Sequence, residues 1–249
     1  MRVKTAARVA TVVAASVLVP ALTGCGVRDP AYAARAEVPS YAAIEQAPES
    51  LADDGTTILV GDPGALTTVR VYEDPRCPVV EEFELTGGAS ALRTMTVRRE
   101  VKTEYTLASF RDERMGGDGS KRAVNALRAA LDAGRFAELH RVLFQHQAEI
   151  EAGGGFTTES LLALADKVEG LRGAEFDRAV ATMKYEGFVT ASEAAYEAAD
   201  GPVGPGTPTV VVNGKRIPES SSGVLFDEEL FGTLLTSIQR HPLEWKTST

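Results

Sequence analysis

The sequence of 249 residues is poor in cysteine, histidine and positive charge. It has two cysteines and three histidines, and its 26 basic residues are outnumbered by 35 acidic ones, which gives a net charge of −9. Such a chain repels phosphate, so we exclude nucleic acid as a partner, and a polybasic contact with anionic lipid as well. The three histidines and Cys77 lack the spacing of a metal site. No glycine-rich phosphate loop opens a helix. The sequence therefore predicts neither a metal nor another cofactor.

The longest apolar run lies near the N-terminus. It covers residues 9–22, follows three basic residues and is shorter than the roughly 20 residues that a membrane-spanning helix needs. It ends in Leu22-Thr23-Gly24-Cys25, which resembles the lipobox of bacterial lipoproteins. The resemblance implies a signal peptide over residues 1–24, lipidation of Cys25, and a protein anchored at the outer face of the cytoplasmic membrane. The alternative is an ordinary signal peptide that happens to contain a cysteine.

The segment after the signal peptide predicts a tether. Residues 25–55 are rich in alanine, proline and acidic side chains and show no sustained apolar period, which is typical of a flexible linker. Tyr32 and Tyr41 could pack on the following domain, so partial order is also expected. Without residues 1–24 the chain keeps 23 basic and 35 acidic side chains, a net charge of −12.

From residue 56 the pattern predicts an α/β domain, with strands first, then a helical block, then a hairpin and a last helix. The Asn213-Gly214 pair is a strong hairpin signal, and Asp227 is a good N-cap for the last helix. The predicted strands are Thr57–Gly61, Thr68–Tyr72, Thr94–Thr106 and Thr209–Val212, and the predicted helices are Val79–Leu85, a block over Ser120–Ala199, and Asp227–Arg240 with Leu230, Leu234, Leu235 and Ile238 facing inward.

Three separated segments carry a resemblance to a known family. The first is Glu73-Asp74-Pro75-Arg76-Cys77-Pro78 with the helix that follows, and the last is Gly206-Thr207-Pro208-Thr209 with the strand that follows. Between them lie the predicted helices over residues 123–140. All three are similar to landmarks of DsbA-like thioredoxin-fold proteins. The match spans about residues 56–240. It implies an α/β, thioredoxin-like fold over residues 56–249, with an inserted helical subdomain at about residues 113–200.

The resemblance also implies roles for individual residues. Cys77 is the catalytic cysteine, and Pro78, Thr207 and Pro208 contact an extended substrate. Thr207-Pro208 is expected to be a cis peptide that faces the cysteine, although a trans proline at the start of a strand is the alternative. The family usually reads Cys-Pro-x-Cys, whereas Val80 stands at the second cysteine here. Because one thiol must resolve the mixed disulfide made by the other, this departure excludes a self-sufficient dithiol oxidase.

Two functions stay open for the single thiol. The helix N-terminus and Arg76 favour a reactive thiolate, whereas the five acidic residues around Cys77 disfavour it. The chain is therefore either a tethered redox protein that acts on extracytoplasmic proteins or thiols, or a non-catalytic lipoprotein that binds peptides or proteins. Elsewhere, we interpret His140 as a core histidine, and the acidic run Glu193, Glu197 and Asp200 as a solvated helix face.

Overall fold

The computed structural model describes residues 38–201 and 204–247. The predicted signal peptide, the lipidation site Cys25 and Tyr32 lie outside the described residues. Within these two ranges, no helix has both the length and the apolar character needed to cross a bilayer.

A mixed sheet of six strands organises the described chain, in the order β1-β2-β4-β3-β5-β6. The central strands β3 and β4 are parallel, and the other neighbours are antiparallel. Asn213 and Gly214 join β5 to β6 with φ angles of 51° and 82°, which confirms the predicted hairpin turn. The strands are β1 (Glu49–Leu51), β2 (Thr57–Gly61), β3 (Thr67–Glu73), β4 (Val101–Leu107), β5 (Thr209–Val212) and β6 (Lys215–Arg216).

Helices cover the sheet and fill the connection between β4 and β5. The seven helices α3–α9 lie in that connection, as expected for the helical subdomain. The α-helices are α1 (Pro78–Leu85), α2 (Ala89–Val97), α3 (Arg111–Met115), α4 (Gly119–Asp132), α5 (Phe136–Gln145), α6 (Gln147–Ala152), α7 (Thr158–Ala165), α8 (Ala174–Ala181), α9 (Glu186–Ala198), α10 (Glu228–Arg240) and α11 (Pro242–Thr247). Two 3₁₀-helices cover Ile44–Gln46 and Glu219–Phe226.

The strand predicted over Thr94–Thr106 is wrong in its first half. That half belongs to α2, whose buried residues Ala89, Leu92, Met95 and Thr96 recur at helical spacing. Arg99, with a φ of 61°, turns the chain between the helix and β4. The threonines and Val97 suggested β-structure, but burial of this helical face outweighs their local preference.

The predicted tether includes a folded segment. Within residues 25–55, β1 pairs with β2, and the Glu49 carboxylate accepts hydrogen bonds from the backbone N–H groups of Phe136 and Ala137 at 2.9 and 2.7 Å. Glu49 thereby satisfies free donors at the start of α5. Tyr41 packs on the core beneath the Arg99 guanidinium, as the expectation of partial order allowed. The chain is thus attached to the domain from about Tyr41 onward.

Two further side chains differ from expectation. Leu230 is 56% exposed and does not face the core, whereas Leu235 and Ile238 do. The Asp227 side chain caps α10 as predicted, by accepting a hydrogen bond from the Leu230 N–H at 2.8 Å. Glu193 is half-buried and accepts hydrogen bonds from Ser109, so the acidic run in α9 is not a uniformly solvated face.

Candidate functional site around Cys77

Cys77 lies where strand β3 and its following loop meet helix α1. It is the N-cap residue of α1, and Pro78 occupies the first helical turn, where a missing N–H costs nothing. The thiol is 4% exposed, and its Sγ lies 3.5 Å from the carbonyl oxygen of Thr207. A thiol is a weak donor at this distance. The sulfur thus lies at the N-terminal end of α1 and faces a carbonyl oxygen from a residue 130 positions later in the sequence.

The loop facing the thiol contains the predicted cis peptide. The Thr207-Pro208 bond is cis, which confirms that expectation. The loop also depends on Gly204, which has a φ of 65°. A Cβ atom at this position would lie only 2.1 Å from the Tyr196 ring, so no larger residue fits. Tyr196 in turn accepts a hydrogen bond from the Gly206 N–H. Cys77, Thr207 and Pro208 are therefore brought together from opposite ends of the domain, while Pro78 beside them is exposed.

Val80 stands where the resemblance to DsbA-like proteins predicts a second cysteine. It is one helical turn after Cys77, it is completely buried, and its N–H donates to the Cys77 carbonyl at 3.0 Å. Its side chain is part of the core. The helix at this point is held by backbone hydrogen bonding and apolar packing, so the site keeps its shape without a second thiol.

Arg76 precedes Cys77 in the sequence, but its guanidinium bonds to other segments. Its guanidinium extends into the helical subdomain, where it donates to Asp112 at 2.9 Å, to the Gly116 carbonyl at 2.9 Å, and to both carboxylate oxygens of Glu151 at 3.0 and 2.9 Å. The side chain is only 8% exposed. Its charge is therefore paired with two carboxylates, and its side chain attaches the loop before Cys77 to helices α3 and α6.

Asp74 holds the same loop from within. Its carboxylate accepts hydrogen bonds from the Arg76 N–H, the Ser120 hydroxyl and the Arg111 N–H at 2.7 to 2.9 Å. Burial raises the pKa of Asp74 to about 6, an effect that these three hydrogen bonds oppose and that nearby Asp112 reinforces. The carboxylate is a structural acceptor for three segments that meet beside the cysteine.

Gln147 is a site residue that sequence reasoning missed. Its buried side-chain amide donates to the carbonyl of Pro75 at 2.6 Å and to that of Cys77 at 3.2 Å. It therefore satisfies two backbone acceptors of the loop on either side of Arg76. Gln147 lies 70 residues after Cys77 in an ordinary helical segment, and no local signal distinguishes it from a surface glutamine.

Comparison with known proteins agrees with this geometry. A family model described as thioredoxin matches residues 53–227. The fold is similar to that of MdbA, a thiol-disulfide oxidoreductase from Actinomyces oris, with 19% identity, a TM-score of 0.60, and coverage of 82% of this chain and 98% of that one. It is also similar to BdbD from Bacillus subtilis in its oxidised form, with 20% identity, a TM-score of 0.61, and coverage of 80% and 98%.

A further solved structure has the same fold. The reduced disulfide bond oxidoreductase DsbG from Mycobacterium tuberculosis is 22% identical, with a TM-score of 0.53 and coverage of 78% of this chain and 94% of that one. No curated protein matches the sequence significantly. Since the family model covers well over half of the residues, and since the fold is that of these structures with its helical insertion, the chain belongs to the thioredoxin family and has the DsbA-like fold.

Proposed function

We propose that the chain is a membrane-tethered, extracytoplasmic lipoprotein that reacts with protein thiols and disulfides through Cys77 alone. The observation that carries the proposal is the placement of the Cys77 Sγ at the start of α1, 3.5 Å from the carbonyl oxygen of the cis Thr207-Pro208 loop, with Val80 buried one turn later. The solved structures described as thiol-disulfide oxidoreductases share this fold. Pro78, Thr207 and Pro208 would contact an extended substrate segment.

The chemistry of one thiol differs from that of two. The Cys77 thiolate attacks one sulfur of a substrate disulfide, forms a mixed disulfide, and releases the other substrate sulfur as a thiolate. For net reduction, a low-molecular-weight thiol must then attack the substrate sulfur of the mixed disulfide, which releases Cys77, and a second small thiol releases the substrate thiol and leaves an oxidised small disulfide. For isomerisation, another thiolate of the substrate displaces Cys77 and forms a new substrate disulfide, with no external thiol consumed. Neither route lets Cys77 alone donate a disulfide.

Two variants test this mechanism. The purified chain should not oxidise a reduced, unfolded substrate catalytically, and catalytic disulfide reduction should depend on added small thiol. Val80→Cys should create dithiol turnover, because the Cα atoms of residues three apart on a helix lie about 5 Å apart, within the usual Cα separation of a disulfide. Val79→Cys is the matched control: it adds a thiol to the same helix on a 43% exposed side chain that faces away. Catalytic oxidation by the unmodified chain without added thiol would contradict the proposal.

A second function is favoured by the low exposure of the thiol. At 4% exposure Cys77 can also be a small apolar core residue, and the groove beside Pro208 would then bind peptides or proteins without chemistry. Cys77→Ser separates the two functions. A redox role requires this variant to lose all covalent adducts with cellular proteins, whereas a binding role requires it to capture the same partners as the unmodified chain. Rapid alkylation of Cys77 at neutral pH also supports the redox role.

The membrane anchor is tested separately. Full-length chain expressed in a bacterium should incorporate labelled fatty acid and partition into detergent, because acyl chains at about 0.8 kcal/mol per buried methylene give a stable anchor. Cys25→Ser should abolish both properties, while Cys77→Ser, the matched control, should leave both intact. Soluble, unlabelled protein from the unmodified gene would rule the anchor out without affecting the thiol chemistry.

A further inference from the structure

Three metal-type ligands meet in the core, away from the thiol chemistry. Glu73 ends strand β3, Glu84 lies in α1, and His140 lies in α5. Their exposures are 0, 3 and 3%, which confirms the interpretation of His140 as a core histidine. One ligand atom from each side chain lies within 4.8 Å of those of the other two. Side chains from three separate elements thus converge on one point, and none of them bonds to Cys77.

Two carboxylate oxygens in this cluster have no partner. Glu73 Oε1 is in contact with His140 Nε2, and Glu84 Oε2 accepts a hydrogen bond from Arg93 Nη1 at 2.8 Å. The remaining oxygens, Glu73 Oε2 and Glu84 Oε1, are buried and make no hydrogen bond. Buried polar atoms in native proteins are paired in the great majority of cases, so each unpaired carboxylate oxygen calls for an explanation.

The charge around the cluster leaves room for a cation. Arg93 balances one of the two carboxylates, and its side chain is 25% exposed. The walls are otherwise aromatic, since the rings of Tyr105, Phe136 and Phe144 lie 4.9 to 5.3 Å from the His140 ring. A proton on His140 would balance the second carboxylate, but it would bond only to Glu73 Oε1 and leave both unpaired oxygens as they are. A divalent cation between the three side chains, with His140 neutral, would bond to these oxygens and would change the net charge of the cluster from −1 to +1.

We propose that Glu73, Glu84 and His140 form a structural site for one divalent transition-metal ion. Two carboxylates and one imidazole are a ligand set that Zn²⁺ accepts. A cavity of about 10 Å³ lies beside His140 and is also lined by Arg93 and Tyr105, and its size is close to the space that one water needs. This proposal revises the expectation of no metal, which rested on histidine and cysteine spacing alone.

The site would stabilise the geometry around Cys77. Glu73 stands four residues before the cysteine and Glu84 seven residues after it, so one ion would connect the strand and the helix on either side of the loop. The ion has no bond to the sulfur. The site is therefore independent of whether Cys77 is a redox thiol or a core residue.

Co²⁺ and Zn²⁺ binding test the proposal. The experiment uses the full-length chain with Cys25→Ser and Cys77→Ser, so that no thiol can bind metal. It should take up one Co²⁺ per chain, with visible absorption typical of nitrogen and oxygen ligands. Zn²⁺ should displace the Co²⁺ and raise the melting temperature, and a chelator should reverse this rise. Absence of metal uptake by this chain would overturn the proposal.

Single substitutions locate the bound ion. Glu84→Gln and His140→Gln should each weaken Co²⁺ binding by at least tenfold. His146→Gln is the matched control, because this helix-end histidine also contacts a glutamate, Glu149 at 3.2 Å, but is partly exposed. Unchanged binding in the first two variants would refute the site. If neither variant folds, X-ray absorption of Zn²⁺ bound to the thiol-free chain decides: one imidazole with carboxylate oxygens supports the proposal, and coordination without imidazole overturns it.

Discussion

Replacing Arg76 by methionine should destabilise the chain more than any surface charge substitution. Methionine keeps much of the apolar volume of the arginine stem, so the change removes mainly the guanidinium. That group donates to Asp112, Glu151 and the Gly116 carbonyl, with four hydrogen bonds of 2.9 to 3.0 Å. Without it, the buried Asp112 carboxylate keeps only its backbone donors, the N–H groups of Ser120 and Lys121.

The expected loss follows from burial. The Arg76 and Asp112 side chains are 8 and 3% exposed, and that of Glu151 is 18% exposed. Removing one partner of a buried pair costs about 3–5 kcal/mol, because the other charge stays buried without compensation. Partial exposure of Glu151 and the remaining donors to Asp112 favour the lower end of this range. Domains of this size are stable by only about 5–15 kcal/mol, so the loss should be easily measured.

The measurement is urea unfolding of the two variants Arg76→Met and Arg122→Met. Arg122 lies close by and pairs with Asp118 at 2.7 Å, but the two side chains are 32 and 56% exposed. Exposed pairs of this kind contribute about 0–1 kcal/mol, so the control should differ little from the unmodified chain. Equal losses in the two variants, or a loss below about 1 kcal/mol for Arg76→Met, would refute the view that this buried ion-pair network holds the loop.

Two further variants test single contacts. Asp227→Ala should cost about 1 kcal/mol in urea unfolding, because it removes the N-cap acceptor of α10, whereas Asp227→Asn should keep most of the stability; equal effects would contradict capping. Burial raises the pKa of Glu193 above its ordinary 4.5, although hydrogen bonds from Ser109 oppose the shift. Because the folded state holds this proton more tightly than the unfolded state, the contribution of Glu193 to stability falls as the pH rises above about 4.5. Glu193→Gln should therefore lose less stability than the unmodified chain between pH 4.5 and 7, and an identical pH dependence of the urea midpoint would contradict this.

Local patterns were sufficient to predict the parts of the fold that depend on neighbouring residues. The Asn213-Gly214 turn, the Asp227 cap, and the helix that starts at Pro78 each follow from the chemistry of a few adjacent residues. The cis Thr207-Pro208 bond came from resemblance and not from local chemistry, since a trans proline fits the same residues. The wrong strand over Thr94–Thr106 shows the limit: residues with β-preference formed a helix because one face of it is buried.

Contacts between distant segments could not be predicted in this way. Gln147 bonds to carbonyls 70 and 72 residues earlier, and the Glu73–His140 contact joins residues 67 apart. Arg76 is the reverse case: it is adjacent to Cys77 in the sequence, but its guanidinium binds carboxylates of the helical subdomain. Such pairings depend on how helices dock on the sheet, which residue spacing alone does not specify.

The site around Cys77 keeps its shape with Val80 one helical turn after the cysteine. The loop before α1 is held by Asp74, Arg76 and Gln147, and the cysteine faces the Thr207 carbonyl. None of these contacts involves the side chain of residue 80, which lies in the apolar core. The side chain of Val80 therefore contributes to core packing, while other residues hold the surroundings of Cys77 in place. This separation is why Val80→Cys is a fair test of the chemistry, since the loop that would support dithiol turnover is already in place.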